Sequence, residues 1–144
     1  FADKYLRERD VPLLIYQGRL NLLDRALQQE GILDYCADNG IGFISFSPLA
    51  QGLLTDKYLH SIPEGSRMSR ETSLPSKRLT PELREYLIGL NAIAATRGES
   101  LAEMSLAWGL AQRGVTSVLV GASSVAQLKC NLRCINSKPF DQEL

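Results

Sequence analysis

Apolar residues along this chain fall into two patterns, short unbroken runs and helix-spaced stripes. The run Pro12-Leu13-Leu14-Ile15-Tyr16 is apolar throughout and closes at Gln17-Gly18. Runs of this kind suit strands buried on both faces, as in a parallel sheet. A second run, residues 41–46, follows Asn39-Gly40, which reads as a helix stop, and Pro48 ends it because proline cannot donate to a ladder. A third, residues 117–120, leads into Gly121-Ala122-Ser123.

Helical patterns separate these runs. Residues 1–10 are charged and read as the tail of a helix. Residues 22–39 are predicted mostly helical, with Ile32, Leu33, Tyr35 and Cys36 at helical spacing. Residues 51–76 are rich in Gly, Pro and Ser and read as one long loop, a length that usually marks function or mobility. Thr80-Pro81 opens a helix with Leu83, Leu87, Leu90 and Ala94 on one face and Gly98 at its end. Ser100 and Glu103 form a capping box for the next helix, whose stripe is Leu101, Met104, Trp108 and Ala111 before Gly114. Ser124 and Gln127 repeat the box for a last helix through Leu128, Leu132 and Ile135. Buried strands alternating with helices imply parallel βαβ units. Either an open doubly wound sheet or a β/α barrel fits that order, but a full barrel needs eight strands and about 250 residues.

Composition narrows the class. The 144 residues carry 16 Lys+Arg against 16 Asp+Glu, with 44% hydrophobic content, the profile of a soluble globular domain. Zero net charge argues against a nucleic-acid binder that works by a basic surface. No apolar run approaches the ~20 residues of a membrane span, and no signal peptide is visible. Cys36, Cys130 and Cys134 read as free thiols in a reducing cytoplasm, because two thiols four apart do not make a zinc site. His60 is the only histidine and lies in the long loop, a poor base for a Ser-His-Asp triad. The chain starts at Phe1 and stops just after Pro139-Phe140-Asp141, so both ends read as cut.

In parallel α/β folds ligands sit just past the strand ends. That singles out Gln17 and Asn21, then Ser47 to Gly52, then Gly121 to Ser124. The last set precedes a helix N-terminus, where free N–H groups favour an anion, although capping alone also accounts for Ser124 and Gln127. Between residues 57 and 78 five cations (Lys57, Arg67, Arg70, Lys77 and Arg78) face two anions (Glu64 and Glu71). Such side chains can clamp phosphates or simply solvate a loop.

Residues 46–58, FSPLAQGLLTDKY, resemble the SPLAxGxLTGKY segment of the aldo-keto reductases. Residues 118–131, VLVGASSVAQLKCN, resemble their VLIGASxxEQLxEN segment. Ile62-Pro63-Glu64-Gly65-Ser66-Arg67 and Trp108 fall in family order between them. The resemblance runs from Pro12 to Ile135 and points to the bacterial glyceraldehyde-3-phosphate reductase-like group and to the potassium channel beta subunits. It implies an α/β fold, a partial (β/α)8 TIM barrel made of the last three strands and their helices. It implies a C-terminal fragment, residues 1–144, of a domain that reduces aldehydes and ketones by hydride transfer from NADPH.

Carried over by resemblance, Gln17 would bond the nicotinamide carboxamide and Phe46 would stack on the nicotinamide. Ser47, Pro48, Leu49, Ala50 and Gln51 would line the pyrophosphate. Lys57 and Arg67 would reach the phosphates of the adenosine side, including the one that marks NADP. Gly121, Ser123, Gln127 and Asn131 would hold that phosphate and the adenine. Three positions depart from the pattern: Asp56 replaces a glycine, Cys130 replaces an acidic residue, and Leu20 stands where many relatives have Tyr.

The family's catalytic Asp, Tyr, Lys and His have no matching motif here, so the isolated chain is expected to be inactive and none of Tyr5, Tyr16, Tyr35, Tyr58 and Tyr86 is assigned to catalysis. Open strand edges should also make the isolated chain prone to aggregation. The resemblance implies a small carbonyl substrate, a cytoplasmic setting, and no nucleic-acid or membrane partner; a homo-oligomer stays open. The alternative is a catalytically silent, nucleotide-sensing subunit of the same fold, like the channel subunits. A weaker one is an unrelated α/β binding module with no preference for NADPH over NADH.

Overall fold

The computed structural model describes residues 2–71 and 73–140. Phe1 and Asp141, read above as part of the chain ends, and Thr72 of the long loop lie outside the described residues. The elements run α1 (Ala2–Arg7), β1 (Ile15–Arg19), α2 (Ala26–Gln29), α3 (Ile32–Asp38), β2 (Gly42–Phe46), α4 (Pro81–Arg97), α5 (Leu101–Ala111), β3 (Val115–Val118) and α6 (Val125–Leu132). Short 3-10 turns cover Ala50–Gly52, Asp56–Tyr58, Ser76–Arg78 and Arg133–Asn136. The three strands form one parallel sheet in the order β1-β2-β3. Their carboxyl ends therefore share one edge.

Caps explain the helix limits that follow the sequence most closely. Thr80 accepts from the Leu83 N–H at 3.2 Å, Pro81 sits at the first helical position, and Gly98 ends α4 at φ 75°. Only glycine takes that left-handed position without strain. Ser100 and Glu103 make the full capping box of α5. At α6 the box is incomplete. Ser124 accepts from the Gln127 N–H, but the Gln127 side chain accepts from Ser123 rather than returning to Ser124. The 22–39 stretch is broken into α2 and α3 at Gly31, which sits at φ 75°.

The strands are shifted from their apolar runs. β1 includes Gln17, Gly18 and Arg19, whereas Pro12 and Leu13 precede it. β3 begins at Val115 because Thr116 makes a bulge opposite β2, its hydroxyl accepting the Phe43 N–H at 3.2 Å. Nor are the strands all buried on both faces. In β1 only Gly18 is buried, and Ile15 is 55% exposed. Register explains this. Tyr16 and Gly18 pair with Phe43 and Ser45 on the helix-covered face, where the last two are fully buried. Ile15, Gln17 and Arg19 pair with Gly42, Ile44 and Phe46 on the opposite, more open face.

The core lies between the covered face and the helices. α5 is buried all round from Leu101 to Gly109, as expected for a helix packed on α4, α6 and β3 at once. The long loop belongs to this core. Leu53, Leu54, Tyr58, Leu59, Met68 and Leu74 are each at most 4% exposed, so packing pins a segment that lacks a sequence period. On α5 Ala111 is exposed, unlike the rest of its predicted stripe. The apolar positions of α6 and the turn after it also face outward: Val125, Leu128, Leu132 and Ile135 are 42–72% exposed. No described helix is long and apolar enough to cross a membrane.

Candidate functional site

The chain after β2 carries the strongest local signal. Ser47, Ala50 and Gln51 all have positive φ, 52°, 47° and 62°. For residues with a Cβ this region costs of order 1–3 kcal/mol each, and it gathers at ligand clamps and active sites. Three such residues in one five-residue turn leave the Ser47–Gln51 backbone bent across the sheet edge. Asn21, from the end of β1, holds it there: its Nδ2 donates to the Ser47 carbonyl at 2.9 Å, and its Oδ1 accepts the Leu23 N–H. Asn21 is 2% exposed.

A cleft of about 80 Å³ opens between these two segments. It is lined by Ser47, Ala50 and Gln51 after β2, by Arg19, Asn21, Leu23 and Asp24 at and after the end of β1, and by Arg78. Gln51 lines this cleft, and its Oε1 is buried with no hydrogen-bond partner, an uncompensated acceptor. Arg19 stands over the Phe46 ring at 5.6 Å and lies 3.8 Å from Asp24. A wider hollow of about 410 Å³ lies by Arg7, Val11, Leu13, Leu14 and Gly40, before β1 and β2 begin. Ligand sites of parallel α/β sheets lie at the other edge, so the smaller cleft is the better candidate.

The residues singled out from sequence are distributed as follows. Gln17 and Phe46 lie on the open sheet face within two residues of the cleft; Gln17 is exposed and lies in β1 rather than past its end. Ser47, Ala50 and Gln51 line the cleft. Pro48 is buried, and Leu49 packs against the core rather than into the cleft. Lys57 and Arg67 are exposed on the long loop. Gly121, Ser123 and Gln127 are exposed beyond β3, at the same sheet edge. There the Gln127 Oε1 accepts from both the Ser123 N–H (2.7 Å) and its hydroxyl (3.0 Å), so the donors of this turn are engaged internally. Asn131 is 3% exposed, and its Nδ2 has no partner. Of the departures, Leu20 is fully buried and its carbonyl accepts from Ser45. Cys130 faces the start of α5, with Ser100 Oγ 3.8 Å and Arg133 Nη2 3.4 Å from its sulfur.

Two buried amides, Gln51 in the turn after β2 and Asn131 near the end of α6, leave an acceptor and a donor without partners. Arg19 is a cleft residue that sequence reasoning missed, and Arg78 stood out only as one of five cations on a basic loop. They come from distant segments and belong to no motif, so only the folded register brings them together. Tyr35 shows the opposite of an acid's environment. Its hydroxyl donates to Asp3 at 2.7 Å, and this bond raises its pKa above the ordinary tyrosine value.

Comparison with known proteins follows the same lines. An L-glyceraldehyde 3-phosphate reductase of Escherichia coli is 49% identical over 142 residues, covering 96% of this chain and 41% of that protein. A probable voltage-gated potassium channel subunit beta of Arabidopsis thaliana is 31% identical over 130 residues, covering 88% of this chain and 40% of that protein. The chain thus spans about two fifths of the length of these relatives. The crystal structure of a thermostable aldo-keto reductase in complex with the inhibitor epalrestat superposes with a TM-score of 0.66 at 25% identity, covering 98% of this chain and 41% of that one. The model of the Aldo/keto reductase family matches residues 2–144.

Proposed function

Because the chain belongs to the aldo/keto reductase family, we propose that the full-length protein reduces aldehydes or ketones to alcohols with NADPH. This segment supplies most of the cofactor site, as the last three strands of a (β/α)8 barrel. The observation that carries the reading is the bent Ser47–Gln51 turn, with three positive φ angles and the unpartnered Gln51 oxygen, at the carboxyl edge of a parallel sheet.

When bound, the dinucleotide supplies the hydride that goes to the carbonyl carbon. Gln17 would hold the nicotinamide carboxamide, and Phe46 would offer its ring as a stacking surface. Ser47, Ala50 and Gln51 would bind the pyrophosphate side, with Pro48 and Leu49 fixing the turn through their packing. Lys57 and Arg67 would reach the phosphate that distinguishes NADP. Gly121, Ser123, Gln127 and Asn131 would hold the adenosine end, with the Gln127 side chain exchanging its bonds to Ser123 for bonds to the ligand. The proton for the carbonyl oxygen would come from the family's Asp, Tyr, Lys and His, supplied outside this segment. The substrate is a small carbonyl compound, and the setting is cytoplasmic.

A second reading, a nucleotide-sensing subunit with slow or no turnover, draws on the 31% identity to a channel beta subunit. The 49% identity to a reductase favours the enzyme. The deciding experiment is steady-state oxidation of NADPH by the full-length protein with a panel of small aldehydes. Aldehyde-dependent loss of NADPH supports the reductase. NADPH binding with no turnover on any aldehyde supports the sensor.

A further inference from the structure

Cys130 lies in the last turn of α6, and Cys134 in the 3-10 turn that follows it. Leu132 and Arg133 between them keep right-handed helical φ and ψ, so the two thiols share a face one turn apart. That face meets the start of α5. The Cys130 sulfur lies 3.8 Å from the Ser100 hydroxyl and 3.4 Å from Arg133 Nη2, whose guanidinium also holds Glu103. Burial, and after it the Glu103 carboxylate, pushes the Cys134 thiol up. Both cysteines are half-buried, whereas Cys36 is 2% exposed and its thiol is pushed up chiefly by burial.

The two surroundings set an order of reaction. A thiolate is the nucleophile toward peroxides and a guanidinium beside a sulfur favours it, while burial and a neighbouring carboxylate keep a thiol protonated. We propose that Cys130 and Cys134 form a peroxide-responsive dithiol switch, with Cys130 as the attacking sulfur and Cys134 as the resolving one. The Cys130 thiolate attacks one peroxide oxygen. The O–O bond breaks, an S–O bond forms, and with one proton from solvent the products are a Cys130 sulfenic acid and water. The Cys134 sulfur then attacks the sulfenic sulfur. The S–O bond breaks, the hydroxyl leaves as a second water with the Cys134 proton, and a disulfide closes; the two sulfurs are oxidised and the peroxide is reduced. Cβ atoms one helical turn apart are about 5–6 Å from each other, and a disulfide needs about 4 Å. The bridge therefore tightens the turn that carries Asn131. In the proposed function Asn131 and Gln127 hold the adenosine end of the cofactor, so closing the bridge lowers NADPH affinity. That consequence rests on the proposed function, and the bridge itself does not.

The test uses the full-length protein, as wild type, Cys130→Ser and Cys134→Ser, exposed to a small excess of hydrogen peroxide, alkylated and mapped by mass spectrometry. Trypsin cuts between the two cysteines after Arg133, so a bridge holds two peptides together until it is reduced. The expected result is linked Cys130 and Cys134 peptides in the wild type and a dimedone-reactive sulfenic acid at Cys130 in Cys134→Ser. Cys134 should stay unoxidised in Cys130→Ser, and Cys36 should stay reduced in all three proteins. The NADPH Kd of the wild type should rise about tenfold on oxidation, as for the loss of one buried hydrogen bond. It should return with dithiothreitol and hold constant in Cys130→Ser. Free Cys130 and Cys134 after peroxide treatment, or Cys134 oxidised as fast without Cys130 as with it, overturns the switch. A bridge that forms with the Kd unchanged supports the switch and contradicts the placing of the adenosine at Asn131. Absence of carbonyl turnover in the wild type would overturn the reductase reading and leave the peptide map valid.

Discussion

Arg133, in the turn after α6, donates to one carboxylate oxygen of Glu103 in the first turn of α5, while the other oxygen accepts the Ser100 N–H at 2.7 Å. One side chain thus closes the α5 capping box and ties down the helix that carries Gln127 and Asn131. Its surroundings decide its protonation. Burial acts to raise the Glu103 pKa, but hydrogen bonds from Ser100 and Arg133 outweigh it and hold the pKa below the ordinary glutamate value. A depressed folded-state pKa contributes stability in full above the unfolded value, and this is lost as pH falls through the folded one. In the full-length protein, Glu103→Gln should cost about 1–2 kcal/mol at neutral pH. The gap to wild type should shrink below the ordinary glutamate range, read from urea midpoints at both pH values. A gap that does not depend on pH contradicts the assignment.

Gly18 of β1 lies close against Leu27 of α2. A Cβ there would overlap Leu27 and lie 3.0 and 3.1 Å from Tyr16 and Phe43. Gly18→Ala is expected to destabilise by about 1–3 kcal/mol through overpacking. An unchanged urea midpoint would show that Leu27 yields freely.

At Gln51 stability and binding should separate. Gln51→Gly removes the strain of a 62° φ, so stability should hold or rise by up to ~1 kcal/mol. It also removes the cleft's orphaned acceptor, so NADPH affinity should fall, about tenfold for the loss of one buried bond. Fluorescence titration of NADPH and thermal melting measure the two effects. Lost stability with unchanged affinity would reverse the assignment.

Lys57→Met and Arg67→Met should each raise the KM for NADPH, roughly tenfold for a lost charge-assisted bond, with little effect on the KM for NADH. Initial rates with both cofactors give the comparison. Equal changes for both would mean that these two side chains do not read the extra phosphate.

The helix caps were legible because they are local. Thr80, Ser100 and Gly98 act within one turn of chain, and their residue types imply their geometry. The strand limits were not, because register is a property of two strands. Gln17 and Arg19 enter β1 through pairing with Ile44 and Phe46, and Thr116 starts a bulge that only the position of Phe43 explains. The long loop read as loose because its apolar residues have no period, yet Tyr58, Met68 and Leu74 reach the core one by one. In the site, the turn after β2 was marked by its motif. Arg19 was not, and Arg78 stood out only as one of five loop cations, since nothing in a linear pattern joins the end of β1 to the turn before α4.

The central claim is that one dinucleotide crosses the carboxyl edge of all three strands. The most direct measurement is a crystal structure of the full-length protein grown with NADP. The expected result is a single dinucleotide touching Gln17, the Ser47–Gln51 turn and Asn131 together. A nucleotide bound before the strands begin, beside Val11 and Leu14, or in contact with only one of these segments, would contradict it.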